Sequence, residues 1–229
     1  MAVTASDSPR AYLFDFDGTI LDSFEDLERT TNEMLTSLSL PTLPVLEIRG
    51  MIGYGLEHLL RAALDAAGGA QVSTAHAVDV FKPLYANCGW RHTHLFEGMR
   101  ALVASLASHR RALVSNKPVA ACDSLIAHFE LGGLFDLVAG GDTYPARKPD
   151  PMPILRTLEA LSCPTQRAVM IGDDLPDVGA ARAAGVWCVG VTWGRQTGDD
   201  LRAAGADVVV DSPAALADAL RDWSATGGG

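Results

Sequence analysis

Six short runs of apolar residues, rich in branched side chains, recur along the chain: AYLFDF (11–16), RALVSN (111–116), FDLVAG (135–140), RAVMIGD (167–173), VWCVGVTW (186–193) and ADVVVDS (206–212). Turn residues follow each run, and after the first run most are separated by segments of helix length. A strand followed by a helix, repeated, predicts parallel strands joined by helical crossovers. The expected class is α/β: a doubly wound, mostly parallel, Rossmann-like sheet covered on both faces. Ligands of such sheets sit beyond the carboxyl ends of the strands.

One interval breaks the rhythm. FEDLERTTNEMLTSL (24–38), GLEHLLRAALDAA (55–67) and TAHAVDVFKPLYANC (74–88) repeat apolar residues at spacings of three and four, which predicts helices. LPTLP (40–44) separates the first from the rest, because proline there cannot continue a helix. We therefore expect a small all-helical cap over residues 22–92, inserted between a first core piece (1–21) and the remaining core (93–229). Leaving the sheet just after its first strand, it would stand over the carboxyl edge as a lid. No internal repeat is seen, and the closing ATGGG reads as a frayed tail.

Composition narrows the function classes. The 229 residues are 48% hydrophobic and 20% charged, enough for one domain with an insertion and unlike a disordered chain. The net charge of −10 lacks the basic stripe of a general nucleic-acid binder, so an anionic substrate must be caught by a local device. Four scattered cysteines without C-x-x-C spacing suggest free thiols in a reducing compartment. No apolar run approaches the ~18 residues of a membrane span, and MAVTASDSPR lacks the apolar centre of a signal peptide. The expectation is a cytoplasmic protein, monomeric or homodimeric, with neither nucleic acid nor membrane as partner.

Polar residues gather after four of the strands. Asp15 and Asp17 stand two apart on an extended chain, hence on one side, with Phe16 turned to the core. A solvated Asp-Gly turn is the competing explanation. Ser115-Asn116-Lys117-Pro118 suits anion binding at a helix start, or simple capping. In ARKPDP (146–151), two prolines hold Lys148 in an extended loop; a surface lysine is the plainer reading, and Lys117 and Arg147 are rival cations. Gly172-Asp173-Asp174-Leu175-Pro176-Asp177 brings three aspartates to a helix start, where capping needs one. At roughly 4 Å and an effective dielectric near 20, each like-charged pair repels by about 4 kcal/mol. A hard divalent cation offsets that repulsion, and Mg²⁺ is the expected ion, since it takes few carboxylates together with water and phosphate.

In order, D-x-D-G-T, a strand-end Ser-Asn, a Lys-Pro and G-D-x-x-x-D resemble the haloacid dehalogenase superfamily of aspartyl phosphatases over nearly the whole chain. Within it, DFDGTILDS, IGYGLEHLL, VSNKP, RKPDP, VTWG and ADVVVDSPAAL look most like the phosphoglycolate phosphatase branch. The resemblance implies Asp15 as nucleophile and Asp17 as general acid and base. It implies Mg²⁺ on the Asp15 carboxylate, the Asp17 carbonyl and Asp173, with Asp177 steadying coordinated waters. Ser115 and Asn116 would hold phosphate, and Lys148 would balance charge on nucleophile and phosphate. Asp174, where serine is common, joins the metal shell or caps the helix, and capping is preferred.

Arg49, Tyr54 and His58 are candidates for the substrate's leaving group, against ordinary polar-face roles; the Gly53-Tyr54-Gly55 loop is expected to approach the site. His92 and His94 suggest a hinge rather than a zinc pair, and Trp187 and Trp193 suggest packing. The implied activity is Mg²⁺-dependent hydrolysis of a small phosphate monoester, 2-phosphoglycolate first. A β-phosphoglucomutase-like sugar-phosphate mutase uses the same nucleophile. A phospho-accepting signalling domain also gathers aspartates, a serine and a lysine on an α/β sheet. Dehalogenation has no use for Asp17 or a metal.

Overall fold

A computed structural model describes residues 10–225, so most of the opening decapeptide and the tail beyond Ala225 lie outside the described residues. In chain order the elements are β1 (Ala11–Phe14), β2 (Leu21–Asp22), α1 (Phe24–Ser37), α2 (Val45–Met51), α3 (Leu56–Ala66), α4 (Thr74–Ala86), β3 (His94–Leu95), α5 (Met99–Ser105), β4 (Arg110–Val114), α6 (Val119–His128), β5 (Leu137–Ala139), α7 (Met152–Ala160), β6 (Ala168–Gly172), α8 (Leu175–Ala184), β7 (Trp187–Val191), α9 (Gly198–Ala204), β8 (Val208–Val210) and α10 (Pro213–Ala225).

The six apolar runs all become strands of one parallel sheet, in the order β5-β4-β1-β6-β7-β8. Each strand is shorter than its run, because the polar residues at the run's end leave the ladder. β1 is central, with Phe14 opposite Leu113 on one side and Ile171 on the other. Alternation along β1 divides the core. Tyr12 and Phe14 join the apolar residues of α5, α6 and α10 on one face. Ala11 and Leu13 join Ile154, Leu158, Val178 and Leu201 from α7, α8 and α9 on the other. Each fully buried side chain of this size contributes about 1.5–3 kcal/mol relative to exposure. The chain runs outward from β1 through β4 and β5, then returns to β6 and runs the other way. This reversal opens a crevice at the carboxyl ends of β1, β4 and β6.

Helices α1 to α4 pack on one another between β2 and β3, which pair antiparallel as the chain leaves and re-enters the sheet region. The apolar stripe of α1 (Phe24, Leu27, Met34, Leu35) is buried at helical spacing. Its two buried acids are both partnered. Asp26 accepts from Thr93 Oγ1 at 2.6 Å and the His92 N–H at 3.1 Å, tying α1 to the returning chain. Glu28 pairs with Arg49. Helix α2 was not expected: seven residues with Gly50 inside carry little periodic signal. Pro44 immediately before it is the recognisable start, since its φ of −57° is already helical in range.

Candidate active site

β1 ends with Phe14, and the Asp15 N–H bonds to the Ile171 carbonyl at 2.9 Å, so Asp15 emerges between β1 and β6. Phe16 is fully buried, as the alternation requires. The chain then folds over the Phe16 carbonyl, which accepts from Ile20 and Leu21 at 3.0 Å. Gly18 is obligatory here: its φ is +85°, and a Cβ would lie 2.2 Å from Asp173 Oδ2. Through that contact the first and fourth polar segments meet.

Lys148 proves to be the central cation of the two sheet-end loops. Its Nζ donates to Asp177 Oδ1 and the Val114 carbonyl, both at 2.6 Å, and stands 2.9 Å from Asp15 Oδ1. Asn116 holds it in place: the amide oxygen accepts from the Lys148 N–H at 2.9 Å and Nδ2 donates to the Lys148 carbonyl at 2.8 Å. Nδ2 also reaches the Gly53 carbonyl at 2.8 Å. The Asn116 side chain is thereby occupied in positioning rather than aimed at phosphate. Ser115 is buried and lines the same cavity as Asp15 and Asp17, its Oγ accepting weakly from the Lys117 N–H at 3.3 Å. Of the rival cations, one turns away from the site and the other stays within it. Arg147 pairs with Glu57 of α3, and Lys117 sits 3.0 Å from Asp17 Oδ2.

The carboxylate oxygens of Asp15, Asp173 and Asp177 lie within 4.8 Å of one another, all buried. Asp173 Oδ1 accepts from Thr19 Oγ1 at 2.8 Å and its Oδ2 from the Arg195 N–H at 2.9 Å. Burial, reinforced by Asp15 and Asp177, pushes the Asp173 pKa well above the carboxylate range. Burial also lifts Asp177 to about 7, against the lowering effect of Lys148. For Lys148, burial pulls downward, but Asp15 and Asp177 outweigh it and leave the ammonium above its ordinary value.

These residues fit a divalent cation. Five carboxylates (Asp15, Asp17, Asp173, Asp174, Asp177) gather with three side-chain cations (Lys117, Lys148, Arg195). Counted as ionised, they leave two negative charges in excess, which such an ion neutralises, and oriented oxygen donors are what Mg²⁺ takes.

Asp174 lies outside the carboxylate trio. It caps α8, its Oδ1 accepting from the Leu175 N–H at 2.7 Å, while Asp177 Oδ2 accepts from the Asp174 N–H at 3.1 Å in a capping box. Its Oδ1 also takes Gln196 Nε2 at 2.8 Å, and Arg195 Nε stands 3.2 Å from its Oδ2. Arg195 continues across the cavity mouth: Nη1 donates to the carbonyls of Gly50, at 3.0 Å, and Ile52.

A cavity of about 310 Å³ lies between the sheet ends and the helical unit. Asp15, Asp17 and Ser115 form its floor; Leu27, Leu59, Phe81 and Trp90 form an apolar wall opposite. Arg49 does not reach it. Its Nε binds the buried Glu28 carboxylate at 2.6 Å and its guanidinium covers the Phe24 ring. Tyr54 is also turned away, its ring packed on His58 at 5.1 Å, although its neighbours Gly53 and Gly55 line the cavity. Gly53 approaches so closely that a Cβ would lie 2.0 Å from Asp174 Oδ2.

The imidazoles of His92 and His94 face Glu25 and Asp22 respectively, beside the β2–β3 ribbon. Trp187 stacks on Trp223, whereas Trp193 also donates to the Thr19 carbonyl at 3.2 Å and so braces the Asp15–Thr19 loop. Tyr85, Arg195 and Ser23, whose hydroxyl donates to Asp17 Oδ1, are site neighbours that sequence reading did not single out. Position after a strand end was the available signal for Arg195; Tyr85, inside a helix, offered none.

Known proteins are similar to this chain in sequence and in fold. The chain is 35% identical over 218 residues to a phosphoglycolate phosphatase of Psychrobacter arcticus, covering 91% of this chain and 94% of that one. A solved structure described as a predicted phosphoglycolate phosphatase from Haemophilus somnus 129PT superposes with a TM-score of 0.85 at 25% identity, over 93% and 97% of the two chains. CbbY from Rhodobacter sphaeroides, solved in complex with phosphate, gives 0.79 at 26% identity, over 91% and 96%. A family model described as haloacid dehalogenase-like hydrolase matches residues 12–191, from within β1 to the end of β7. All four polar segments fall inside that span, and the chain belongs to the haloacid dehalogenase-like hydrolase family.

Proposed function

We propose that this protein is a Mg²⁺-dependent phosphatase of small phosphorylated organic acids, 2-phosphoglycolate first, acting through a phosphorylated Asp15. The observation that carries the proposal is the placing of Asp15 among Lys148, Asp173 and Asp177 with Asp17 two residues away on the same cavity floor. The name of the Psychrobacter relative supports the substrate. Helices α1 to α4, with the region 22–92 as a whole, act as the cap that closes the cavity. The free cysteines suit a cytoplasmic enzyme.

In the first half-reaction an Asp15 oxygen attacks phosphorus, and the ester P–O bond breaks as Asp17 protonates the departing alkoxide. In the second, Asp17 takes a proton from water, the water oxygen attacks phosphorus, and the bond to Asp15 breaks to release phosphate. Asp15, the Asp17 carbonyl and Asp173 would hold Mg²⁺, with Asp177 placing its waters; the ion supplies charge neutralisation for the phosphoryl oxygens. Ser115 donates to a phosphoryl oxygen, and Lys148 offsets charge on Asp15. So many partners are needed because phosphate-monoester hydrolysis requires up to ~10²¹-fold acceleration. General acid–base catalysis typically gives ~10²–10⁴.

The direct test is phosphate release from a panel of monoesters, with Mg²⁺ and then with EDTA. Release from phosphoglycolate that stops with EDTA is expected. Equal release in both conditions would rule out the metal-dependent reading, and conversion of a hexose 1-phosphate to its 6-phosphate would indicate a mutase.

A further inference from the structure

The buried cation nearest Asp17 has no part in holding the metal or the nucleophile. Lys117 is 7% exposed, and its Nζ stands 3.0 Å from Asp17 Oδ2 and donates to the Tyr85 hydroxyl at 2.9 Å. The Tyr85 hydroxyl takes one ammonium proton and Asp17 pairs with the charge, and no further acceptor faces the ammonium among the described residues. The Tyr85 oxygen accepts from Lys117, and among the described residues its own proton likewise meets no acceptor. Two donors, one from the sheet end and one from α4, thus remain at the cavity beside Asp17.

We propose that Lys117 and Tyr85 form the recognition site for a carboxylate on the leaving group, which rests on the phosphatase reading above and assigns residues to its specificity. Lys148 and Arg195, the other cations of the site, are committed elsewhere. Lys148 spends its donors on Asp15, Asp177 and the Val114 carbonyl. Arg195 pairs with Asp174 and commits Nη1 to the carbonyls of Gly50 and Ile52, which ties the guanidinium to the cavity mouth, away from the Asp17 side. Leu27, Leu59 and Phe81 offer nothing to an anion, and a buried, unpaired carboxylate is prohibitively costly. Lys82 also lines the cavity but is exposed. Asp17 must touch the ester oxygen to protonate it. In a glycolate ester the carboxylate carbon is two bonds from that oxygen, which brings the anion next to the ammonium that borders Asp17. Because Tyr85 belongs to α4, the site is complete only when the helical unit lies against the sheet.

The test compares kcat/KM for 2-phosphoglycolate with that for 2-hydroxyethyl phosphate, its uncharged-headed counterpart, in the wild type, Lys117→Met, Tyr85→Phe and Lys82→Met. A hydrogen bond to a charged group is worth about 10–100-fold. The wild type is expected to prefer phosphoglycolate, with the preference falling by about that factor in Lys117→Met and by about tenfold in Tyr85→Phe. Tyr85→Phe keeps shape and apolar area, so it reports even if Lys117→Met does not fold. A preference retained in both variants overturns the proposal, as does one lost only in Lys82→Met. A wild type that releases phosphate from both esters without preference overturns this inference alone. No release from either removes the phosphatase reading itself.

Discussion

The hydroxyl of Thr19 donates to Asp173 Oδ1 across 2.8 Å, joining positions 154 residues apart at the point where β1 and β6 end side by side. One Asp173 oxygen is set by the first polar segment and the other by the Arg195 N–H, so the carboxylate is oriented from two sides before any ion arrives. Removing such an orienting partner typically costs about 10–100-fold in metal affinity. Thr19→Val should therefore shift the Mg²⁺ activation curve to higher concentration by that factor, with Thr19→Ser restoring most of it. An unchanged curve would mean the bond does not prepare the metal site.

Lys148 compensates two buried acids at once, Asp15 and Asp177. Deleting one member of a buried charge cluster typically costs about 3–5 kcal/mol. Lys148→Met is expected to lose stability of that order in urea unfolding, together with nearly all turnover. Wild-type stability in this variant would show that the three side chains do not depend on one another.

The carboxylate trio predicts a definite pH dependence. Asp177 in the folded, metal-free chain holds its proton up to about 7, far above an unfolded aspartate. Between those values the folded state binds more protons than the unfolded state, so this group's contribution to stability falls as pH rises. Mg²⁺ binds the ionised carboxylates and relieves the penalty. The rise in melting temperature on adding Mg²⁺ to EDTA-treated protein should be larger at pH 8 than at pH 6. Equal increments would argue against burial-raised carboxylates at the ion site.

Arg195 ties Asp174 to the carbonyls of Gly50 and Ile52 and so holds the end of α2 against the cavity mouth. Arg195→Ala should speed amide exchange in residues 50–56 and lower kcat/KM by about tenfold, the value of one charged hydrogen bond. Unaltered exchange there would show that the helical unit is held by other contacts.

The sheet was legible because its strands are buried on both faces and read as continuous apolar runs, such as Ala11–Phe14 and Ala168–Gly172. The convergence of the polar segments followed from strand ends sharing one edge. What escaped was decided by tertiary packing. Lys117, Arg147 and Lys148 are all plausible cations in sequence, and only folding shows that Asn116 clamps the Lys148 loop while Arg147 turns to Glu57. Arg49 looked free because its partner, Glu28, is an acid buried in the middle of α1. Tyr85 lies 32 residues from Lys117 in a helix whose periodicity marks it as core.

Everything proposed for the chemistry depends on Asp15 taking the phosphoryl group. The measurement that reaches this most directly is rapid acid quench of the enzyme with phosphorus-labelled phosphoglycolate and Mg²⁺, followed by mapping of the labelled peptide. A hydroxylamine-sensitive label on the Asp15 peptide, absent in Asp15→Asn along with turnover, is the predicted result. An Asp15→Asn enzyme that still releases phosphate at the wild-type rate, or a label carried by a different residue, would contradict it.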